Sequence, residues 1–118
     1  MTKPQALPLL LTALALLSAT ESSALTMKDV SSFCDSYPGE CSTSPFLQAY
    51  VGGALDLIAM LDEETEYLGE IYCRSPSEFF DAQKIVSFML ENKGDYSDKN
   101  AMLLVIRYLE ENGGCTGT

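Results

Sequence analysis

The sequence predicts an all-α fold: a small four-helix bundle, stapled by disulfides, that follows a cleaved signal peptide. Three observations lead to this prediction. Apolar residues recur at spacings of three and four along most of the chain, and no stretch shows the alternation of a half-buried strand. All four cysteines lie after residue 33, downstream of an apolar N-terminal segment.

The N-terminal segment has the layout of a secretory signal peptide. Lys3 precedes an apolar run from Leu9 to Leu17, and the small residues at 22–24 suit a signal peptidase. That run is shorter than the roughly 20 residues of a membrane-spanning helix, which argues against an uncleaved anchor. We therefore expect residues 1–24 to be removed on export to the periplasm. Residues 25–118 should then form one helical domain that is not inserted in the membrane.

Local signals predict the first two helices. Thr26 and Asp29 resemble a capping box with aspartate in place of glutamate, which predicts a short helix running to about Cys34. Ser44 and Pro45 predict the start of the second helix, because proline at the first helical position gives up only an unpaired N–H. Its apolar residues predict one broad buried face: Phe46, Leu47, Tyr50, Val51, Ala54, Leu57, Ile58 and Leu61.

The second half of the chain predicts two more helices. Residues 62–69 are acidic and form either a loop or a frayed continuation of the second helix. Ser75 or Ser77 is expected to cap the third helix, whose apolar stripe is Phe79, Ala82, Ile85, Val86 and Met89. After a turn at 92–96, Ser97 is expected to cap the last helix, and the segment Asn112-Gly113-Gly114 is expected to end it. This helix is apolar all round in its middle, which predicts a place at the centre of the bundle.

The cysteines predict two disulfides. An even number of cysteines in an exported domain of fewer than 100 residues is typical of a disulfide framework. Metal binding is disfavoured because the chain has no Cys-x-x-Cys pair and no histidine. Four cysteines allow three pairings, and the sequence does not choose among them. We favour Cys34–Cys41, which closes a short loop, and Cys73–Cys115, which joins the end of the domain to its middle.

Charge and composition restrict the function. The net charge of −10 argues against nucleic acid or an anionic membrane surface as a partner. It would attract a basic protein, although a charge of this size is also explained by solubility without any partner. Without histidine, Ser-His-Asp and Cys-His nucleophile systems are excluded. The acidic residues of 62–70 are typical of a solvated face rather than of a catalytic carboxylate pair. We predict no catalytic residue, no cofactor, no metal site and no enzymatic activity.

The most unusual local feature is a glycine pair inside the second helix, in the segment containing Tyr50, Gly52, Gly53 and Asp56. Each glycine in a helix interior costs about 1 kcal/mol relative to alanine. We predict a helix-packing motif in which the missing side chains let another backbone come close. Asp56, one turn further along, is expected to be solvated or to contact a partner exposed by that approach.

Together these motifs resemble a family of periplasmic immunity proteins, the resistance-associated proteins, which are related to the type VI secretion amidase immunity proteins. The resemblance extends from about Phe33 to Cys115. The family often has a cysteine just before the tyrosine of its Tyr-x-x-Gly motif, whereas here Cys41 lies further upstream. The matching motifs, in order, are Tyr50-Val51-x-Gly53-x-x-Asp56, Cys73-x-x-Pro76, Leu90-Glu91, Ala101-x-Leu103-Leu104 and Cys115.

The resemblance implies a small helical protein, often a homodimer, that binds a peptidoglycan hydrolase, an amidase effector delivered by neighbouring bacteria, and blocks its active site. Two alternatives remain open: a periplasmic acid-stress chaperone, and an inhibitor of lysozyme-like wall hydrolases. Two polar segments, residues 62–70 and 93–96, are candidates for contacting the partner. Tyr96 is the best single anchor because tyrosine is enriched at interface hot spots. The candidate residues are Glu63, Glu64, Glu66, Tyr67, Asp95 and Tyr96.

Overall fold

A computed structural model of the chain describes residues 24–65 and 68–115, and within these two stretches the fold is helical with no strand. The all-α prediction is therefore confirmed. The predicted signal peptide lies outside the described residues except for Ala24. The helices are α1 (Met27–Ser36), α2 (Pro45–Glu64), α3 (Pro76–Phe79), α4 (Ala82–Glu91) and α5 (Met102–Asn112), with short 3₁₀ turns at Cys41–Thr43 and Gly94–Tyr96.

Helix α1 begins with the capping box that the sequence predicts. The backbone N–H of Asp29 donates to Oγ1 of Thr26 over 3.2 Å, and Oδ2 of Asp29 accepts the backbone N–H of Thr26 over 2.9 Å. These two bonds satisfy N–H groups that have no partner within the helix. The hydrogen bonds from the Thr26 backbone and then from its side chain hold the pKa of Asp29 below its usual range.

The N-terminal end of the described domain is hydrogen-bonded to the segment before α5. The carbonyl of Leu25 accepts the N–H of Ala101 over 2.8 Å, and the N–H of Met27 donates to the carbonyl of Lys99 over 3.1 Å. The side chain of Met27 is fully buried. Helix α1 is therefore fixed to the far end of the sequence as well as to the residues beside it.

Helix α2 starts where the sequence predicts and runs further than its last predicted apolar residue. Oγ of the buried Ser44 accepts the N–H of Leu47 over 3.3 Å, with Pro45 at the first helical position. The helix continues to Glu64. There the N–H and the hydroxyl of Thr65 both donate to the carbonyl of Leu61, over 2.8 and 2.6 Å.

The third predicted helix is in fact two helices, α3 and α4. The chain is extended at Phe80 and Asp81, and Oδ1 of Asp81 accepts the N–H of Lys84 over 3.1 Å, which makes Asp81 the N-cap of α4. Ser75 is the N-cap residue of α3, as expected, although its side chain makes no capping hydrogen bond. The expectation of one continuous helix is wrong, because the extended backbone at Phe80 and Asp81 ends α3 and Asp81 caps a separate helix.

The last helix also begins later than predicted. Ser97 does not cap it, because residues 94–101 form a 3₁₀ turn and further bends before α5 starts at Met102. The side chain of Asn100 caps the start of the helix instead: its Oδ1 accepts a hydrogen bond from the backbone N–H of Met102 over 2.9 Å. The predicted end of the helix at Asn112 is correct, and Gly114 follows with a φ of 74°.

The core is centred on α4 rather than on the last helix. Helix α4 packs against α2, against the 3₁₀ turn at Cys41–Thr43 and against α5. It buries Ile85, Val86 and Met89 almost completely. Helix α5 buries Leu104, Val105 and Leu109 but leaves Leu103 45% exposed, so the prediction of a central last helix is corrected.

Both disulfides form in the favoured pairing. Cys34 and Cys41 have Cα atoms 5.5 Å apart, and Cys73 and Cys115 have Cα atoms 5.0 Å apart. Beside the second bridge, the carbonyl of Gly113 accepts the N–H groups of both Cys73 and Arg74, each over 2.8 Å. The end of α5 is thus joined to the middle of the chain by one covalent bond and two backbone hydrogen bonds.

Thr26→Ala should lower the free energy of unfolding by about 1 kcal/mol, because it removes the side-chain acceptor of the capping box. Urea unfolding measures the change. Ser32→Ala, at an exposed position in the middle of α1, is the matched control and should leave stability unchanged or slightly raised.

The same variant should alter stability at low pH. A lowered carboxyl pKa in the folded state stabilises the fold above the ordinary aspartate value of about 3.9, and this stabilisation is lost as the pH falls through the folded value. Thr26→Ala keeps the backbone N–H of residue 26, which is the larger cause of the lowered pKa of Asp29, and removes only the hydroxyl. The variant should therefore lose slightly less stability on acidification than the wild type. An unchanged acid dependence would contradict this account.

The two disulfides should differ in how much they stabilise the domain. Replacing Cys73 and Cys115 by serine opens a loop with a sequence separation of 42, and in the chain-entropy model this costs about 4 kcal/mol. Replacing Cys34 and Cys41 opens a separation of 7 and should cost about 2.5 kcal/mol. The order of the two losses, measured by urea unfolding of the paired serine variants, tests the prediction.

Candidate functional site

No group of three or more histidine, cysteine, aspartate or glutamate side chains that could hold a metal is found within 24–65 and 68–115. None of the helices in this part of the chain is both long enough and apolar enough to cross a membrane. The surface of this part of the chain includes two polar segments, an apolar helix face and several grooves, one of which lies between α4 and α5.

The acidic segment after residue 61 is only partly a loop. Glu63 and Glu64 are exposed in the last turn of α2, and Glu66 and Tyr67 lie outside the described residues. Asp62 is half-buried and turned toward the core. Burial of the Tyr72 side chain and the nearby charge of Asp62 raise the pKa of that tyrosine.

The predicted anchor Tyr96 is held within its own domain. Its hydroxyl accepts a hydrogen bond from Nη1 of Arg107 over 3.0 Å, and Nζ of Lys99 lies 5.3 Å from its ring centroid. Arg107 also binds Glu111 over 3.1 Å, and these bonds to Tyr96 and Glu111 raise the pKa of the guanidinium. Tyr96 is half-buried while Asp95 is exposed, so the structure does not bring the two together as one exposed anchor.

The glycine pair of α2 does not pack against its own chain. A Cβ atom at Gly52 or Gly53 would meet no atom within 4 Å, so the expected close approach is absent inside the described domain. Tyr50, one turn earlier, is half-buried, and this burial raises its pKa. Asp56 is exposed.

An apolar face of α2 is open, contrary to the prediction of one broad buried face. Three of the predicted core residues on this helix are exposed, and Met60 is exposed with them. The buried residues of α2 are Leu47, Val51 and Leu55. The exposed ones are Phe46 at 55%, Leu57 at 54%, Met60 at 51% and Leu61 at 39%.

Because α2 is apolar on two sides, helical spacing alone could not separate the core side from the open side. We call the open side the apolar stripe: Phe46, Tyr50, Gly53, Leu57, Met60 and Leu61.

One end of the apolar stripe is aromatic. The ring centroid of Phe46 lies 5.1 Å from that of Phe33, which in turn lies 5.8 Å from that of Tyr37. Phe33 and Tyr37 are half-buried beside the Cys34–Cys41 bridge. This disulfide therefore supports the aromatic end of the stripe.

An open groove of about 720 Å³ lies between α4 and α5, and no motif of the sequence predicts it. Its aromatic pair is Phe88 and Tyr108, whose rings meet edge to face with centroids 5.3 Å apart. Burial, and then the charge of Asp81, raises the pKa of Tyr108, while Arg74 acts in the opposite sense. We call this the acidic groove, lined chiefly by Asp81, Lys84, Phe88, Glu91, Tyr108 and Glu111.

The charges of the acidic groove favour a cation. Three carboxylates and one lysine line the groove; Glu111 is paired with Arg107, whereas Glu91 takes part in no ion pair within the described residues. Aromatic rings beside carboxylates can accommodate the alkyl stem and the charge of a lysine or arginine. The groove can therefore accommodate a basic side chain.

Comparison with family models, with curated proteins and with solved structures returned no match.

Two glycine substitutions should change stability in opposite directions. Gly52→Ala should raise the free energy of unfolding by about 0.5–1 kcal/mol, because the helix gains a better helix former and the new methyl group meets no atom. Gly113→Ala should lower it by about 1–3 kcal/mol, because its Cβ would overlap Tyr72. Urea unfolding of both variants at one protein concentration measures the two changes. A loss of stability in Gly52→Ala would contradict the open space around Gly52.

Proposed function

We propose that this chain is a periplasmic immunity protein that binds a peptidoglycan-cleaving amidase effector of type VI secretion and blocks its active site. The observation that carries the proposal is the acidic groove between α4 and α5, a site suited to a basic protein side chain. The absence of histidine from the sequence supports binding rather than catalysis. The class of target comes from the motifs around Tyr50, Cys73 and Cys115.

The charge of the chain supports rapid capture of a basic enzyme. A net charge of −10 attracts a cationic partner over distances of about a Debye length, roughly 8 Å at physiological ionic strength. Electrostatic steering raises the association rate, which matters for an inhibitor that must act before the wall is cut. The exposed carboxylates of Glu63, Glu64 and Asp95 add to this field without forming the groove itself.

The groove then supplies the short-range contacts. An arginine or lysine of the enzyme would lay its alkyl stem along Phe88 and Tyr108, with its charge near Glu91, because Glu111 is already paired with Arg107. Arginine suits this arrangement best because its planar guanidinium both stacks on rings and pairs with carboxylates. For inhibition, the side chain that inserts must lie at the rim of the enzyme's cleft, so that occupation of the groove covers that cleft.

Rigidity of the groove favours tight binding. Its two walls are the helices α4 and α5, which pack on each other, and α5 is tied down by the Cys73–Cys115 bridge. A preorganised surface loses little conformational freedom on association, which is why inhibitors with ordered surfaces reach high affinity on interfaces of about 1,600 Å².

Expression of the full chain should protect susceptible cells against attackers that deliver a peptidoglycan amidase. The purified protein should suppress release of wall fragments by that amidase. Glu91→Lys should weaken inhibition about tenfold or more, because it places a cation where a cation must bind. Glu40→Lys, an exposed position in the loop before Cys41, makes the same change in net charge and should weaken inhibition less than about threefold.

The outcomes separate the competing functions. Inhibition of lysozyme but not of the amidase would favour the lysozyme-like alternative, and protection of unfolding client proteins at acid pH without either inhibition would favour the chaperone. Equal effects of Glu91→Lys and Glu40→Lys would remove the groove from the mechanism. Absence of both protection and inhibition would overturn the proposal.

A further inference from the structure

The acidic groove carries opposite charges along its length. Lys84 and Glu91 lie on one face of α4, two helical turns or about 10 Å apart along the axis. Both side chains line the groove, and neither takes part in an ion pair within the part of the chain that the structure describes. Phe88 lies between them on α4, and its ring meets that of Tyr108 on α5. The groove therefore presents a cation, an aromatic pair and an anion in that order.

The other charged side chains of the groove already have partners. Glu111 is paired with Arg107 over 3.1 Å. Asp81 caps α4, because its Oδ1 accepts the backbone N–H of Lys84 over 3.1 Å. Lys84 and Glu91 are thus the two charged side chains of the groove that the described residues leave available to a ligand.

These two charges are placed unfavourably for their own helix. The helix dipole favours acidic side chains in the first turn and basic ones in the last. Helix α4 has the reverse, since Lys84 lies in its first turn and Glu91 is its last residue. No ion pair within the described residues offsets this cost. A local rule broken without a compensating contact is typical of a binding site.

The cationic end has room for a carboxylate. Lys84 also lines a second cavity of about 310 Å³, which continues the groove toward α3. Arg74 lines this cavity too, and its guanidinium donates to Glu78 over 3.3 Å and to the carbonyl of Asn112 over 3.1 Å. These bonds use two of the five N–H donors of a guanidinium, so further N–H groups remain for a ligand oxygen.

We propose that the enzyme segment entering the acidic groove carries a basic side chain that pairs with Glu91 and an acidic side chain, about 10 Å away, that pairs with Lys84. This inference rests on the proposed function, and it fixes the direction in which the segment lies along α4. Net charge alone would favour a segment with two basic side chains. Lys84 disfavours such a segment and so makes the groove selective.

Exchange of the two charges tests the direction. The double variant Lys84→Glu/Glu91→Lys keeps the net charge of −10 and should inhibit the amidase at least about 30-fold more weakly, because both contacts become repulsive. Its melting temperature should equal or exceed that of the wild type, because the exchanged charges suit the helix dipole. The matched control is Lys28→Glu/Glu40→Lys, an exchange at two exposed positions outside the groove, which should change inhibition less than about threefold.

Lys84→Gln separates the proposal from attraction by net charge. The variant is more negative than the wild type, so a basic enzyme would bind it more tightly if net charge alone mattered. We expect inhibition to be about fivefold weaker instead, because a carboxylate of the enzyme loses its partner. Circular dichroism checks that every variant keeps its helix content.

Two blocked peptides test the groove without the enzyme. Acetyl-Arg-Gly-Gly-Asp-amide carries opposite charges that an extended chain places about 10 Å apart, and acetyl-Arg-Gly-Gly-Arg-amide carries two positive charges. NMR titration at physiological ionic strength follows the backbone amide shifts of Phe88 and Glu91. Lys84→Glu should lower the affinity for the first peptide relative to the second at least about tenfold, because it removes the only seat for the aspartate and adds one for the second arginine.

Three results would overturn the proposal. They are full inhibition by the charge-exchanged variant, inhibition by Lys84→Gln that equals or exceeds that of the wild type, and a peptide preference that Lys84→Glu leaves unchanged. The proposed function fails separately, if the wild type inhibits no amidase. Preference for the peptide of mixed charge would in that case still establish the groove as a site for a segment with one basic and one acidic side chain.

Discussion

The rest of the structure depends on the closure at Gly113. Its carbonyl accepts two N–H groups from residues 73 and 74, and the disulfide from Cys73 to Cys115 lies beside it. Gly113 is buried against Tyr72, whose ring meets Phe79 and Phe80 at centroid distances of 5.7 and 5.3 Å. A small helical domain has no sheet to hold its elements in register. This covalent and hydrogen-bonded closure therefore fixes the position of α5 and, with it, the far wall of the acidic groove.

Local signals in the sequence predicted the helix ends that depend on one or two residues. The Thr26 capping box, the Ser44–Pro45 start and the end at Asn112 are all decided by nearby backbone groups. The break between α3 and α4 was not predicted, although Ser75 and Asp81 are each the N-cap of their own helix. The central position of α4 was not predictable either, because it follows from long-range contacts that periodicity does not encode.

The candidate site was predicted less completely than the fold. Carboxylates at Glu63, Glu64 and Asp95 are exposed as a charge-based argument expects. Tyr96 differs because Arg107, eleven residues later, reaches its hydroxyl only after α5 folds back. Residues of the apolar stripe were predicted to lie in the core. A helix with apolar residues on two sides shows the same spacing of three and four for both, so the pattern does not tell the buried side from the exposed one. The glycine pair at 52–53 was the only sequence feature that pointed to that second side.

The hydrogen bonds of Leu25 and Met27 to the segment before α5 affect the order in which the chain folds. The first hydrogen-bonded residues of the domain find their partners at Lys99 and Ala101, more than seventy positions later. A chain emerging from a ribosome or a translocation pore cannot complete α1 docking until almost its whole length is free. Docking of α1 against the residues before α5 is therefore a late, non-local step of folding.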